Sequence, residues 1–140
     1  MPLSEIEYAE RSSRARAAIM ALLAAVTAFN STLGLQSPVN DAASFRGGAW
    51  LLTVALGLVI LSTGGGLMLS RRLRELMNDE RTRHNRSRAF AAGFFVAMVT
   101  ALALYALSWS IPVELRAGLR LVTGLGLAAA LARYALLEWL

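Results

Sequence analysis

Arg71–Arg88 reads RRLRELMNDERTRHNRSR, seven arginines and the chain's only histidine set between two long apolar runs. Arginine collects on the cytoplasmic side of spanning helices, where it does not have to be carried across the bilayer. The flanking runs, Ala49–Ser70 and Ala89–Trp109, are each long enough to cross about 30 Å of hydrocarbon at ~1.5 Å per residue. The stretch therefore reads as the basic cytoplasmic turn of a multi-pass membrane protein, and the remaining topology follows outward from it.

Composition agrees with this reading. Hydrophobic residues make up 56% of 140 residues, and the mean hydropathy is +0.53, leaving too little polar surface for a soluble domain of this length. The sequence has no lysine, so the net charge of +5 comes from 14 arginines against nine acids. Guanidinium groups suit anchoring to anionic lipid or to an acidic partner, and direct nucleic-acid binding is disfavoured. With no cysteine, disulfides, thiolate nucleophiles and Cys-bound metal centres are excluded.

Toward the N-terminus, Ser4-Glu5-Ile6-Glu7 has the form of a helix capping box, followed by Glu7–Arg11 and Glu10–Arg14 at i,i+4 spacing. A charged helix thus leads into a first span over residues 17–36, stopped by Gln36-Ser37-Pro38. Val26-Thr27-Ala28 loosely resembles a signal-peptide cleavage site. A leader would be acidic and long before its apolar part, so the first helix is read as retained. Spans two and three cover 49–70 and 89–109, and Pro112 opens a fourth over 115–140. The expected fold is all-α: a single membrane domain, residues 1–140, forming an up-down bundle of four transmembrane helices. Ten arginines fall on the proposed inside, against Arg46 and Arg116 in the outer loops, which places both termini in the cytoplasm. The sequence predicts a multi-pass membrane location with the basic turn on the cytoplasmic side.

Small residues punctuate the spans: Gly64-Gly65-Gly66, then Gly93, Ala97 and Ala101, then Gly124 and Ala128. At four-residue spacing they let helix backbones approach closely, first within the bundle and secondarily in a homo-oligomer. On the fourth helix, Arg116, Arg120, Thr123, Tyr134 and Glu138 fall on one stripe with Leu127 among them. On the first, Thr27, Asn30, Ser31 and Gly34 form a polar face. Counting rises from each end brings Asn30 and Arg120 to a similar depth, with Thr53, Tyr105 and Ser108 in the same outer half. Asn30, Ser31, Arg116, Arg120 and Thr123 are therefore the candidate ligand-binding residues, around a small polar cavity. Snorkelling arginines and ordinary interhelical hydrogen bonds are the competing explanation.

In the turn, Arg71–Glu75 and Glu80–His84 are at i,i+4 spacing, and Asn78 or Asp79 suits the cap of the third helix. His84 has no second histidine or cysteine for a metal and reads as solvated and ion-paired. The string LMNDERTRHNRSRAF over 76–90 resembles the cytoplasmic turn of small bacterial inner-membrane proteins that carry an Asp-Glu-Arg motif. The similarity covers residues 76–95 and reaches the tail RYALLE at 133–138. Such turns accompany small helix-turn-helix regulators, so the resemblance implies a regulatory partner for Asp79, Glu80 and Arg81, beside which His84 lies. It implies no catalytic residues.

The spans offer no nucleophile–base pair or convergent carboxylates, so an enzyme is not expected and no cofactor is called for. The first three spans contain no acid to couple protons, which disfavours an exporter of the small four-helix kind. The sequence points to a non-enzymatic anchor, regulatory or accessory subunit that binds a protein partner through its N-terminal helix and basic turn. A channel, transporter or ligand sensor using the outer polar cavity is the alternative.

Overall fold

The computed structural model describes the main chain of residues 5–33, 41–63 and 80–139, and the side chains of residues 14–32, 47–63 and 82–139. Across these residues the chain forms four helices: α1 (Glu5–Leu33), α2 (Asp41–Thr63), α3 (Glu80–Leu107) and α4 (Leu115–Trp139). Three carry apolar stretches long enough to cross a membrane: Arg14–Thr32, Thr82–Leu107 and Leu115–Trp139. The apolar part of α2 described here, Gly47–Thr63, is shorter, and residues 64–70 of its expected span lie outside the described residues.

The boundaries differ from the hydropathy pattern in an instructive way. Helix α2 begins at Asp41 and α3 at Glu80, eight or nine residues before their apolar runs. Hydropathy marks what lipid tolerates, whereas hydrogen bonding continues a helix into the polar layer wherever no proline or glycine stops it. The end of α3 is sealed locally: Ser110 and Ile111 both donate main-chain N–H groups to the Leu107 carbonyl at 3.0 Å. Pro112 then lies in a short link, and Gly118 N–H bonds the Glu114 carbonyl at 2.9 Å as α4 starts.

Helix α4 is the centre of the bundle, packed along both α1 and α3, while α2 touches α1 and α4 at few positions. The inward face of α1 is Ala17, Met20, Ala24, Thr27 and Ser31, at alternating steps of three and four, and it meets Leu127, Leu131 and Tyr134 of α4. Toward α3 the side chains vanish. A Cβ on Gly93 would stand 2.7 Å from both the Gly126 carbonyl oxygen and the Ala130 Cβ, and one on Gly126 would stand 2.9 Å from the Ala97 Cβ. Gly93 and Ala97 therefore pack against Gly126 and Ala130 of α4. Gly124 instead faces Ser31 of α1, where an added Cβ would overlap the hydroxyl.

Large apolar side chains point away from this interior. Phe94 and Phe95 are each 69% exposed, with Leu102, Met98 and Phe90 also outward on α3. Lipid supplies no hydrophobic drive between helices, so at the α3–α4 seam small residues pack inside while the bulky side chains of α3 point outward. That inverts the soluble arrangement and is what the composition demands.

Candidate functional site

Two polar clusters join the helices at opposite ends of α4. At its beginning, Arg120 Nη2 donates to the main-chain carbonyl of Asn30 at 3.0 Å, in the last described turn of α1. A cation there also meets the negative end of the α1 dipole. The same guanidinium carbon lies 5.5 Å from the ring centroid of Trp50 on α2. Trp50 Nε1 donates to Ser31 Oγ at 3.2 Å, and Ser31 Oγ donates back to the Thr27 carbonyl at 2.7 Å. The absence of a side chain at Gly124 lets α1 come close enough for this set to assemble. Three helices thus meet on one guanidinium, whose Nε is buried without a hydrogen-bond partner among the described residues.

At the other end, Arg16 Nη2 of α1 and Glu138 Oε2 of α4 form an ion pair at 3.1 Å, with side chains only 16% and 7% exposed. The Arg16 Nε and the hydroxyl of fully buried Tyr134 have no hydrogen-bond partner among the described residues. Two contacts from α3 close this end: Asn85 Nδ2 donates to the Leu137 carbonyl at 3.3 Å, and Arg86 Nη1 to the Ser62 carbonyl of α2 at 2.6 Å. Leu137 lies in the last turn of α4, where carbonyls lack main-chain donors, so Asn85 satisfies one of them from a neighbouring helix.

The sequence-derived candidates divide accordingly. Ser31 and Arg120 come together, but through Trp50 and the Asn30 carbonyl; the bond to Arg120 does not use the Asn30 amide. Thr123 is exposed and hydrogen-bonds the Leu119 carbonyl of its own helix, and Arg116 is exposed one turn nearer the start of α4. The hydroxyls of Thr53 and Ser108 also bond their own helices. Of the partner-facing set, His84 is exposed on the first turns of α3, next to exposed Arg83 and Arg88. Asp79 and the side chains of Glu80 and Arg81 lie outside the described residues.

Sequence reasoning missed Trp50 and the pairing of Glu138 with Arg16. Both signals are present in the chain. Trp50 is the one aromatic near the start of the second apolar run, and Arg16 and Glu138 sit a comparable number of turns from Asn30 and Arg120.

A separate groove of about 610 Å³ runs between α1 and α4, lined by alanines such as Ala21, Ala25, Ala128 and Ala132 and ending on Leu136 and Trp139. Its walls are apolar, whereas Arg120, Ser31, Arg16, Glu138 and Asn85 of the two clusters are each tied to another side chain or to main chain. Comparison with known proteins finds no matching family model, curated protein or solved structure.

Proposed function

We propose that the protein is a non-enzymatic integral membrane protein of the bacterial inner membrane, an up-down bundle with both ends of the chain in the cytoplasm. It serves as an anchor, regulatory or accessory subunit that holds a protein partner on its cytoplasmic face. The contact pairs support the topology. Arg16 near the start of α1 meets Glu138 at the end of α4, while Asn30 late in α1 meets Arg120 early in α4. Asn85 meets Leu137 and Gly93 meets Ala130, the same opposed order for α3 and α4. Trp50 meets Arg120 and Gly57 meets Leu127, an order that rises together for α2 and α4. The arginine asymmetry supplies the orientation.

The observation that carries the functional reading is the division of labour in the first turns of α3. Asn85, Arg86 and Ala89 are spent inward, clamping α3 to α4 and α2, while Arg83, His84 and Arg88 are left outward. A rigidly held helix start with an exposed basic face is a surface that can be recognised. With the Asp-Glu-Arg resemblance, the partner expected is a small helix-turn-helix regulator.

Two experiments test this. A photo-crosslinking residue placed at Arg83, His84 or Arg88 in native membranes should capture a soluble DNA-binding protein, and replacing Asp79, Glu80, Arg81 and His84 together by Ala should abolish the product. Capture of lipid alone would overturn the reading. Reporter fusions at Pro2 and after Leu140 should be active only in the cytoplasm, and one near Asn40 only outside; a periplasmic C-terminus would remove the four-span topology.

A further inference from the structure

The cytoplasmic reading leaves the Arg120 end unused, and the charge there is not neutralised. Arg120 has no carboxylate within ion-pair distance among the described residues, and the ion pair of Arg16 with Glu138 lies at the far end of α4. Guanidinium carries five N–H donors, and one of them is committed, to the Asn30 carbonyl. Its Nε is buried and has no hydrogen-bond partner among the described residues. Arg116 lies four residues earlier on the same helix, a like charge at the spacing where like charges repel. Both stand in the opening turns of α4, which contain no acid, so they add to the positive end of the helix dipole. Charges inside a membrane protein normally pair; among the described residues neither Arg120 nor exposed Arg116 has a carboxylate within ion-pair distance.

The setting specifies which anion. The ring of Trp50 holds the guanidinium from one side, and Asn30 fixes one of its nitrogens, so the fork is oriented before any ligand arrives. Tyr105 and Trp109, ring centroids 5.9 Å apart edge to face, lie exposed at the end of α3, the end from which the short link leads into α4. Exposed Tyr and Trp belong at the headgroup layer of a bilayer. An oriented guanidinium with a second arginine beside it, at headgroup depth, matches the phosphate of a phospholipid, which guanidinium binds in a forked, charge-assisted geometry. We propose that Arg120 and Arg116, with Trp50 as the platform, bind the phosphate group of a phospholipid in the leaflet facing the start of α4. The site is independent of any partner at the opposite face, so either reading can fail alone.

The experiment follows Trp50 fluorescence in detergent, in a background in which Trp109 and Trp139 are Phe. Dihexanoyl phosphatidylglycerol should give a saturable change, and inorganic phosphate at the same concentration should not. Arg120→Gln should weaken the lipid response at least tenfold. Because that change also strips the Asn30 carbonyl of its partner, Arg116→Gln is the second variant; it leaves the Arg120 contacts in place and should weaken binding several-fold. A parental response in Arg116→Gln together with either a parental response or loss of folding in Arg120→Gln overturns the proposal. So does a lipid response that never saturates, and an equal response to inorganic phosphate overturns the assignment to lipid.

Discussion

Helices α4 and α2 are both apolar and both adjoin α1, yet they are held by different forces. Around α4, main chain meets main chain: an added Cβ at Gly93 would stand 2.7 Å from the Gly126 carbonyl oxygen. On α2 the tightest glycine contact is between Gly57 and the flexible tip of Leu127, and nothing lies within 4 Å of a Cβ added at Gly47 or Gly48. Helix α2 is instead tethered by side chains, Trp50 to Ser31 and Arg120 at one end and Arg86 to the Ser62 carbonyl at the other, with Leu61 and Val54 buried between. The difference teaches that in lipid a helix becomes central by losing side-chain volume, whereas a helix that keeps its volume must be fastened by polar groups. Four measurements on purified protein in one detergent can break or sharpen that contrast.

The largest effect is expected at Glu138. Removing one member of a mostly buried ion pair leaves the other charge unpaired, a loss of about 3 kcal/mol or more in a dry site. Glu138→Ala should lower thermal stability most, and Glu138→Gln, which keeps a hydrogen-bond acceptor for Arg16, should recover part of the loss. If Glu138→Ala melts with the parent, the α1–α4 contact rests on packing alone.

Next come the glycines of the α3–α4 and α1–α4 seams. Overpacking a close-packed contact costs about 1–3 kcal/mol, and at these positions the obstruction is a carbonyl oxygen or a pinned hydroxyl. Gly93→Ala and Gly124→Ala should each destabilise by about 2 kcal/mol in denaturant titration. Gly57→Ala should cost less, because Leu127 can turn its tip aside.

These positions also show how far the sequence could be read. The four helices were legible because hydropathy and arginine placement report the bilayer directly, and the fourth was placed within one residue by Pro112. The start of α2 was not, because a helix can outrun its apolar segment without leaving a hydropathy signal, whereas the cap read at Asn78 or Asp79 put the start of α3 beside Glu80 from its polar residues alone. Glycine spacing announced close approach but not its partner: Gly124 and Gly126 differ by about 200° on a helical wheel and so serve different neighbours. For the Arg120 cluster, depth counting brought Arg120 to the level of Asn30, but a main-chain carbonyl as acceptor carries no residue signature. Trp50 was passed over for another reason: its place at the start of the second apolar run is plain, but an aromatic near a membrane interface is expected there whatever it touches.

The third effect is smaller and tests the tether. Arg120→Leu removes the donor to the Asn30 carbonyl and the cation over Trp50, worth about 0.6–2 kcal/mol by the scale of interhelical hydrogen bonds in membranes. Trp50 fluorescence should change at temperatures where the rest of the protein is still folded, because the contact joins α2 to the bundle. A loss as large as that of Glu138→Ala would mean that α2 is as deeply integrated as α4.

The smallest change is expected at Gly48. It is exposed on α2, and no atom of the described residues lies within 4 Å of a new methyl group, so none of them has to move. Alanine also favours a helix over glycine by up to about 1 kcal/mol at an exposed interior position, because glycine loses more backbone freedom on folding. Gly48→Ala should therefore leave the melting temperature unchanged or slightly raised, and Gly48→Leu should behave alike, since lipid accepts either side chain. A marked loss in the leucine variant, accompanied by a smaller particle in size-exclusion chromatography, would show that a second copy covers this face. In that case the loose packing of α2 within one chain would be completed between chains, and the contrast with α4 would belong to the monomer alone.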